Sequence, residues 1–189
     1  MTKAELRIAY RLQRRKQSET QLDDASLEIA NQLLQLDIWN FSFYHIFLTI
    51  TEQHEVNTDY ILNILSGKDK NIVLSKSDFK TGLLKHFLLT DNTIIKKNKY
   101  NIPEPVDGIP IPAESMEVVF VPLLAFDTKG NRVGYGKGFY DTFLASCKPE
   151  TIKIGLSFFE AADEITDVFE GDIALDYCVT PKQVYRFTP

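Results

Sequence analysis

An apolar run, a polar turn and a glycine loop follow one another at residues 119–138 and constrain the fold more than any other part of the chain. The run at 119–126 is rich in Val and Phe, which predicts a buried strand. Pro122 lacks the backbone N–H that a strand ladder needs, so the strand should end near it. Three glycines then occur within five residues, and residues 139–147 have helical character. A strand, a glycine loop and a helix start together offer backbone N–H groups and a helix dipole to an anion.

The side chains around this loop favour a phosphate as that anion. The glycines let a phosphate approach the backbone because no Cβ atom is in the way. Arg132 and Lys137 place fixed positive charge beside the loop. Asp141 offers a carboxylate where a phosphate-bound Mg²⁺ would need one. The sequence therefore favours a nucleotide-phosphate site.

A structural interpretation of the same residues remains open at this point. Glycine loops of this kind also form simple tight turns, and Asp141 can stabilise the start of its own helix by about 0.3 to 1 kcal/mol. The loop is not a Walker A loop, because no Gly-Lys-Ser/Thr ends it, and it does not match the G-x-G-x-x-G dinucleotide motif. The residues alone leave phosphate binding and a tight turn as alternatives.

Helical and strand-like patterns alternate along the rest of the chain. We expect helices over residues 1–17, from 18 or 23 to 36, and from a cap at 57 or 58 through 65. We expect buried strands at residues 43–50, 71–75, 83–89 (paired with 92–95), 151–157 and 176–181. Strands that alternate with helices predict an α/β layered fold with a mostly parallel sheet, built as one domain over residues 1–189.

Two of the predicted helices have recognisable start signals. Ser18 and Gln21 form the S-x-x-Q pattern of a capping box. Asn57 or Thr58 can cap the third helix, and Gly67 should end it. The buried face of the second helix is expected to be Leu27, Ala30, Leu33 and Leu34.

The first helix has a basic stripe, because Lys3, Arg7, Arg11 and Arg15 recur every four residues. It could be a solvated helix face, a transit peptide or an arm that closes over an anionic ligand. We expect Arg11, Arg14 and Arg15 to be solvated. His45, within an apolar run, is expected to be a hydrogen-bonded core residue.

Composition excludes several classes of protein. The 189 residues have a net charge of −5, which argues against general nucleic-acid binding. No apolar run approaches the ~20 residues that span a bilayer, and the N-terminus has no apolar centre typical of a secretory signal. The two cysteines are far apart in the chain, which indicates reduced thiols and a cytoplasmic protein.

The block from Pro122 to Asp141 resembles the signature of the 5-formyltetrahydrofolate cyclo-ligase family. The resemblance rests on Pro122, Phe126, Asp127, Gly130, Arg132 and the whole of residues 134–141. Four other segments resemble motifs of the same family, namely residues 3–7 (K-x-x-L-R), 55–58 (E-x-x-T), 100–105 and 172–176 (D-x-x-hydrophobic-D).

The resemblance implies a role for individual residues. Arg132 and Lys137 would be catalytic, and Asp141 and Asp172 would hold Mg²⁺. ATP would be bound by Lys3, Arg7, Arg132, Gly134, Tyr135, Gly136, Lys137, Gly138, Phe139, Tyr140 and Asp141. The folate substrate would be bound by Ile50, Glu55, Tyr100, Tyr135 and Phe139. Tyr135 stands where some relatives carry Arg.

The resemblance also implies a fold and a reaction. The fold would be a three-layer α/β/α Rossmann-like domain of the CoA-transferase-like type. The reaction would be the ATP- and Mg²⁺-dependent cyclisation of 5-formyltetrahydrofolate to 5,10-methenyltetrahydrofolate, with release of ADP and phosphate. We expect a cytoplasmic monomer with a small-molecule substrate and no nucleic-acid or membrane partner. The alternatives are a non-catalytic nucleotide- or folate-binding protein and a phosphosugar isomerase.

Overall fold

A seven-stranded sheet forms the centre of the computed structural model, which describes residues 1–187. The helices are α1 (Lys3–Arg15), α2 (Glu19–Leu33), α3 (Asp59–Gly67) and α4 (Phe139–Ser146). The first strands are β1 (Phe43–His45), β2 (Asn71–Asp78), β3 (Leu83–Leu88), β4 (Ile95–Lys97) and β5 (Pro103–Pro105). The others are β6 (Val118–Pro122), β7 (Ala125–Phe126), β8 (Arg132–Val133), β9 (Ile152–Leu156), β10 (Tyr177–Val179) and β11 (Val184–Arg186).

The strand order of the main sheet is β11-β10-β9-β6-β1-β2-β3. The five inner strands run parallel, and an antiparallel strand closes each edge. β4 pairs with β5, and β7 with β8, in two small antiparallel sheets. The prediction of an α/β fold with a mostly parallel sheet is confirmed.

β6 lies in the middle of the sheet and is covered on both faces. Val118 and Phe120 belong to one core cluster, together with apolar residues of α2 and α3. Val119 and Val121 belong to a second cluster on the other face, together with residues of α4. Parallel strands that are covered on both faces have continuous rather than alternating apolar sequences. This is why the Val- and Phe-rich run marked the centre of the fold so clearly.

The predicted strand at 43–50 is wrong in length, because its ladder ends at His45. Ile46 still donates to the Val73 carbonyl of β2, but beyond it the segment bonds to groups within its own loop. The Ile50 N–H donates to the Glu55 carboxylate, and the Thr49 hydroxyl donates to the Val56 carbonyl. The segment after β1 therefore leaves the sheet and brings Glu55 over its edge.

The predicted pairing of 83–89 with 92–95 is also wrong. β3 pairs with β2 through a turn that contains Gly82 at φ 73°. Its other edge bonds to residues near 110, since Ile111 donates to the His86 carbonyl. Both edges of β3 are thus occupied, and Ile95 pairs with Pro105 instead.

The residues at which helices begin were predicted better than the residues that form their buried faces. The capping box of Ser18 and Gln21 is confirmed. Thr58 occupies the N-cap position of α3 as predicted, but no side chain within residues 1–187 caps this helix, because the Thr58 hydroxyl donates to the Phe47 carbonyl. Asn57 only accepts a bond from the Asp59 N–H just outside the cap. α2 ends at Leu33 rather than at 36. Its buried face is Ser26, Ile29, Ala30 and Leu33, so the prediction was wrong for Leu27 and Leu34, which are exposed. None of the helices within residues 1–187 has the length and apolar content of a membrane span.

Candidate active site

A cavity of about 490 Å³ opens where the chain leaves the carboxyl ends of β1 and β6. In open α/β sheets this edge is the usual position of a ligand. Every predicted site residue lines this cavity: Lys3, Arg7, Ile50, Glu55, Tyr100, Arg132, Gly134, Tyr135, Gly136, Lys137, Gly138, Phe139, Tyr140, Asp141 and Asp172. Residues that are up to 169 positions apart in the chain thus surround one space.

The glycine loop is attached to α1. A short hairpin, β7–β8, precedes the loop, and Asp127 holds the hairpin turn by accepting bonds from the N–H groups of Lys129 and Asn131. The Nε of Arg7 donates to the Gly134 carbonyl at 2.9 Å. Gly136 has φ 88°, and a Cβ atom there would lie 3.3 Å from Cζ of Arg7.

Gly138 has the left-handed φ of 73° and occupies the N-cap position of α4. No side chain among the described residues caps this helix start, so its first N–H groups remain available to a ligand. Lys137, which lies between Gly136 and Gly138, is exposed and takes part in no ion pair within residues 1–187. The loop thus offers N–H groups and a lysine to an anion.

The carboxylates proposed for Mg²⁺ both have cationic partners. Asp172 pairs with the Lys3 ammonium, which also lies 4.6 Å from the centre of the Phe169 ring. Asp141 accepts bonds from Arg132 at 2.8 Å and from the Ile173 N–H at 3.1 Å. Arg132 itself is only 6% exposed and also donates to the Ile173 carbonyl.

This donor set fits a metal that arrives with phosphate. The part of the chain that the structure describes holds no group of three or more His, Cys, Asp or Glu side chains around one point. Mg²⁺ usually takes one or two carboxylates, with water and substrate phosphates as its other ligands. Asp141 and Asp172 could supply those two carboxylates, and they could not form a complete metal site alone.

Glu55 is a buried carboxylate with both oxygens in hydrogen bonds. Its Oε1 accepts from the Tyr135 hydroxyl at 2.6 Å, and its Oε2 accepts from the Ile50 N–H at 2.7 Å. Burial raises the pKa of Glu55, and these two bonds and the charge of Arg14 oppose that rise. The remaining lone pairs can still accept N–H donors from a ligand in the cavity.

Arg14 contradicts the prediction that it is solvated. It is 3% exposed and donates to the Tyr135 hydroxyl at 3.0 Å and to the Leu123 carbonyl. Arg15 is exposed, as predicted. Arg11 is exposed too, although it lines the cavity and its guanidinium lies 5.7 Å from the Tyr135 ring centre.

Sequence reasoning missed a polar group formed by one side chain each from β1, β2 and β3, of which His45 and Ser75 line the cavity. The Ser75 hydroxyl lies between Nε2 of His45, at 2.6 Å, and Nδ1 of His86, at 2.7 Å. His45 is buried as predicted, but its Nδ1 has no hydrogen-bond partner among the described residues. Burial lowers the pKa of His45 well below its usual value and that of His86 to about 4. Both rings are therefore neutral near pH 7.

Aromatic rings form the outer wall of the cavity. Phe79 packs against Tyr100 with ring centres 4.3 Å apart and against Phe139 at 5.1 Å. Tyr100 is half exposed at the opening. Phe79 and Phe169 were not predicted, since a single aromatic residue in a loop carries no sequence signal of its own.

The fold and the cavity define an α/β protein with its ligand cleft at the carboxyl edge of a parallel sheet. Comparison with known proteins gives the family. A model described as the 5-formyltetrahydrofolate cyclo-ligase family matches residues 1–176. The chain therefore belongs to the 5-formyltetrahydrofolate cyclo-ligase family, which is a family of enzymes.

Individual relatives agree with this assignment. The chain is 31% identical over 144 residues to a mouse protein named 5-formyltetrahydrofolate cyclo-ligase, with 69% of each chain covered. It is 34% identical over 111 residues to a Haemophilus influenzae protein of that name, and this match covers 55% of the chain and 58% of the relative. A solved structure of an Aquifex aeolicus 5,10-methenyltetrahydrofolate synthetase superposes with a TM-score of 0.84 at 26% identity, covering all of this chain and 94% of that one.

Proposed function

We propose that this protein catalyses the ATP- and Mg²⁺-dependent cyclisation of 5-formyltetrahydrofolate to 5,10-methenyltetrahydrofolate, with release of ADP and phosphate. The observation that carries the proposal is that all fifteen predicted site residues line one cavity. That cavity combines an anion-binding loop, a buried carboxylate and a wall of aromatic rings. These are the features that a triphosphate and a pterin would require.

The reaction needs ATP because a formamide oxygen is a very poor leaving group. Transfer of the γ-phosphoryl group to the formyl oxygen releases ADP and makes that oxygen part of a good leaving group. The neighbouring nitrogen then attacks the formyl carbon, the C–O bond breaks, and phosphate leaves. The proton of the attacking nitrogen is lost to solvent. The enzyme mainly positions the reactants and neutralises charge, as in phosphoryl transfer generally.

The basic residues would hold the phosphates. Lys137 is exposed at the loop and available, whereas Lys3 would have to exchange Asp172 for a phosphate or a metal-bound phosphate. Arg7 fixes the loop through the Gly134 carbonyl and keeps its guanidinium beside Gly136. Bound Mg²⁺ would supply charge neutralisation of the phosphates between Asp141 and Asp172.

Glu55 would orient the pterin. Ionised carboxylates accept two parallel N–H bonds, which the amino-pyrimidine edge of a pterin offers. Phe139 and Tyr100 lie along the same cavity and would pack against the folate rings. Ile50 lies next to Glu55 in space, since its N–H donates to that carboxylate.

A spectrophotometric assay tests the proposal. Purified protein with 5-formyltetrahydrofolate, ATP and Mg²⁺ should form the methenyl product, which absorbs in the near ultraviolet, and one ADP should appear per product. Omission of any one of the three should stop both. Folate or nucleotide binding with no product would indicate the non-catalytic alternative, and ATP-independent turnover of a phosphosugar would indicate the isomerase.

The proposal extends to the state of the protein in the cell. We propose a cytoplasmic monomer, built as a single domain, with a small-molecule substrate and no nucleic-acid or membrane partner. The net charge of −5 argues against a nucleic-acid partner, and a cavity of about 490 Å³ has the size of a small-molecule site.

A further inference from the structure

Arg14 is buried without a carboxylate in direct contact. Its guanidinium is 3% exposed and forms no ion pair with any residue from 1 to 187. It donates to the carbonyl of Leu123 and weakly to that of Gln53, at 3.5 Å, while its Nε has no partner among these residues. A buried, incompletely paired charge destabilises a folded protein. Packing alone therefore does not explain an arginine at this position.

The Tyr135 hydroxyl connects Arg14 to Glu55. The Nη1 of Arg14 lies 3.0 Å from that hydroxyl, and the hydroxyl lies 2.6 Å from Oε1 of Glu55. A guanidinium can only donate, so the single proton of the Tyr135 hydroxyl must point toward Glu55. The Ile50 N–H donates to the other oxygen, Oε2. Both oxygens of Glu55 are thus acceptors, which suits an ionised carboxylate.

We propose that Arg14 is a positioning residue that acts through Tyr135 to keep Glu55 ionised and turned to the cavity. The ligand of Glu55 would carry two adjacent N–H donors. Its identity as a pterin rests on the proposed function, whereas the coupling of Arg14 to Glu55 rests on the contacts alone. Arg14 reaches Glu55 only through the hydroxyl, so it would not touch the ligand.

The electrostatic consequence has a definite sign. Burial raises the pKa of Glu55, and the Tyr135 hydroxyl, the Ile50 N–H and the charge of Arg14 lower it. Loss of Arg14 or of the hydroxyl therefore raises that pKa further, and Glu55 then gains a proton at a higher pH. The titratable and charged groups that act on this unit are Tyr135 and Arg14, together with Tyr140 and Arg11, whose guanidinium lies over the Tyr135 ring. His54 and Glu52 are neighbours of Glu55 in the chain, and Glu52 is paired with Lys97.

The test compares Arg14→Gln and Tyr135→Phe with the wild type. Affinity for 5-formyltetrahydrofolate is measured by calorimetry from pH 5 to pH 8. In both variants, the pH below which affinity for the folate falls should rise by about one unit. At pH values below that point, the variants should bind the folate roughly tenfold more weakly than the wild type. Affinity for ATP should stay within about twofold in Arg14→Gln. Arg14→Lys keeps a charged donor, so the pH below which folate affinity falls should return toward the wild-type value.

Arg15→Gln is the matched control, because it makes the same chemical change one position along on an exposed side chain. In this variant the pH below which folate affinity falls should be that of the wild type. Thermal unfolding shows whether each variant folds, and Arg14→Met, which removes the charge but keeps an unbranched apolar side chain, replaces Arg14→Gln if that variant does not fold. The proposal would be overturned if folate affinity in Tyr135→Phe fell below the same pH as in the wild type.

A substrate-free measurement separates this proposal from the proposed function. Glu carboxyl carbons are labelled with ¹³C, and Glu55 is assigned by its loss in Glu55→Gln. The midpoint of the Glu55 titration should rise in Tyr135→Phe and in Arg14→Gln, even if the wild type binds no folate. Unchanged midpoints would reject the coupling, while absence of folate binding with shifted midpoints would reject only the proposed ligand.

Discussion

Four of the five basic side chains that line the cleft, all except Arg11, differ in the partners that they already have. Lys3 and Arg132 are paired with Asp172 and Asp141, and Arg7 bonds to the Gly134 carbonyl. Lys137 takes part in no ion pair within residues 1–187. Its charge is therefore available to a ligand without the loss of an internal contact.

Lys137→Ala should lower kcat by about 10²- to 10³-fold, because one donor that stabilises developing charge is lost. Its exposed side chain makes no packing contribution, so the unfolding temperature should not change. Steady-state rates and thermal unfolding measure the two effects. Lys148→Ala removes another exposed lysine and should be neutral in both. A change of less than threefold in kcat would remove Lys137 from the mechanism.

Asp141→Asn distinguishes a metal ligand from a structural carboxylate. Asn keeps an acceptor for Arg132 and for the Ile173 N–H, so the fold should persist. The Mg²⁺ concentration for half-maximal rate should rise about tenfold or more, since even outer-shell partners are worth that much. An unaltered Mg²⁺ titration would assign Asp141 to the start of α4 alone.

At the level of elements, the glycine loop, the β7–β8 hairpin and α1 are joined by direct contacts. Gly136 lies against Arg7 of α1, and Gly130 in the hairpin turn lies against Leu175 and Phe187 near the C-terminal strands. Both glycines have positive φ, at 88° and 84°. The loop conformation therefore depends on glycine and on contacts with elements distant in sequence.

Gly136→Ala should destabilise the protein by about 1 to 2 kcal/mol, because a side chain at positive φ is strained. The added Cβ would also press on Arg7, so KM for ATP should rise more than KM for folate. Gly67→Ala is the control, because nothing lies within 4 Å of a Cβ there and the residue ends a helix. That variant should be equally or more stable, by up to about 1 kcal/mol. Equal unfolding temperatures for the two variants would show that the loop is not strained.

Sequence patterns predicted the positions of helices and strands better than they predicted which strands pair with each other. The apolar run of β6 and the capping box of α2 depend on neighbours in the chain, so both could be recognised. The pairing of β3 with β2 and the short ladder of β1 depend on which distant groups take up the backbone bonds, such as Glu55 with Ile50. The same limit applies to Arg14 and Arg15, since a difference of one position on α1 decides which of them is buried.

The whole molecule places two neutral histidines in its interior, and this makes its stability depend on pH. Burial lowers the pKa of His86 to about 4 and that of His45 further, so neither gains a proton in the folded state near pH 6. In the unfolded chain both gain one below about pH 6.5. The unfolded state thus binds more protons, and stability should fall as the pH drops from 6.5 to 5.

His86→Asn should flatten this dependence. Asn offers an oxygen where Nδ1 of His86 meets the Ser75 hydroxyl, and it does not titrate. The slope of unfolding free energy against pH should decrease by up to about 1.4 kcal/mol per pH unit between pH 6.5 and 5. Urea unfolding at intervals of half a pH unit measures it. An identical slope in the variant would mean that His86 is protonated in the folded protein.

The three layers of the fold bring the anion loop, the carboxylate Glu55 and the aromatic wall to one edge of the sheet, and the central claim is that a phosphoryl group passes there to a formyl oxygen. Substrate labelled with ¹⁸O at the formyl oxygen tests this most directly. With ATP and Mg²⁺, mass spectrometry should find one ¹⁸O in each phosphate released with the methenyl product. Unlabelled phosphate beside the same product would contradict the account.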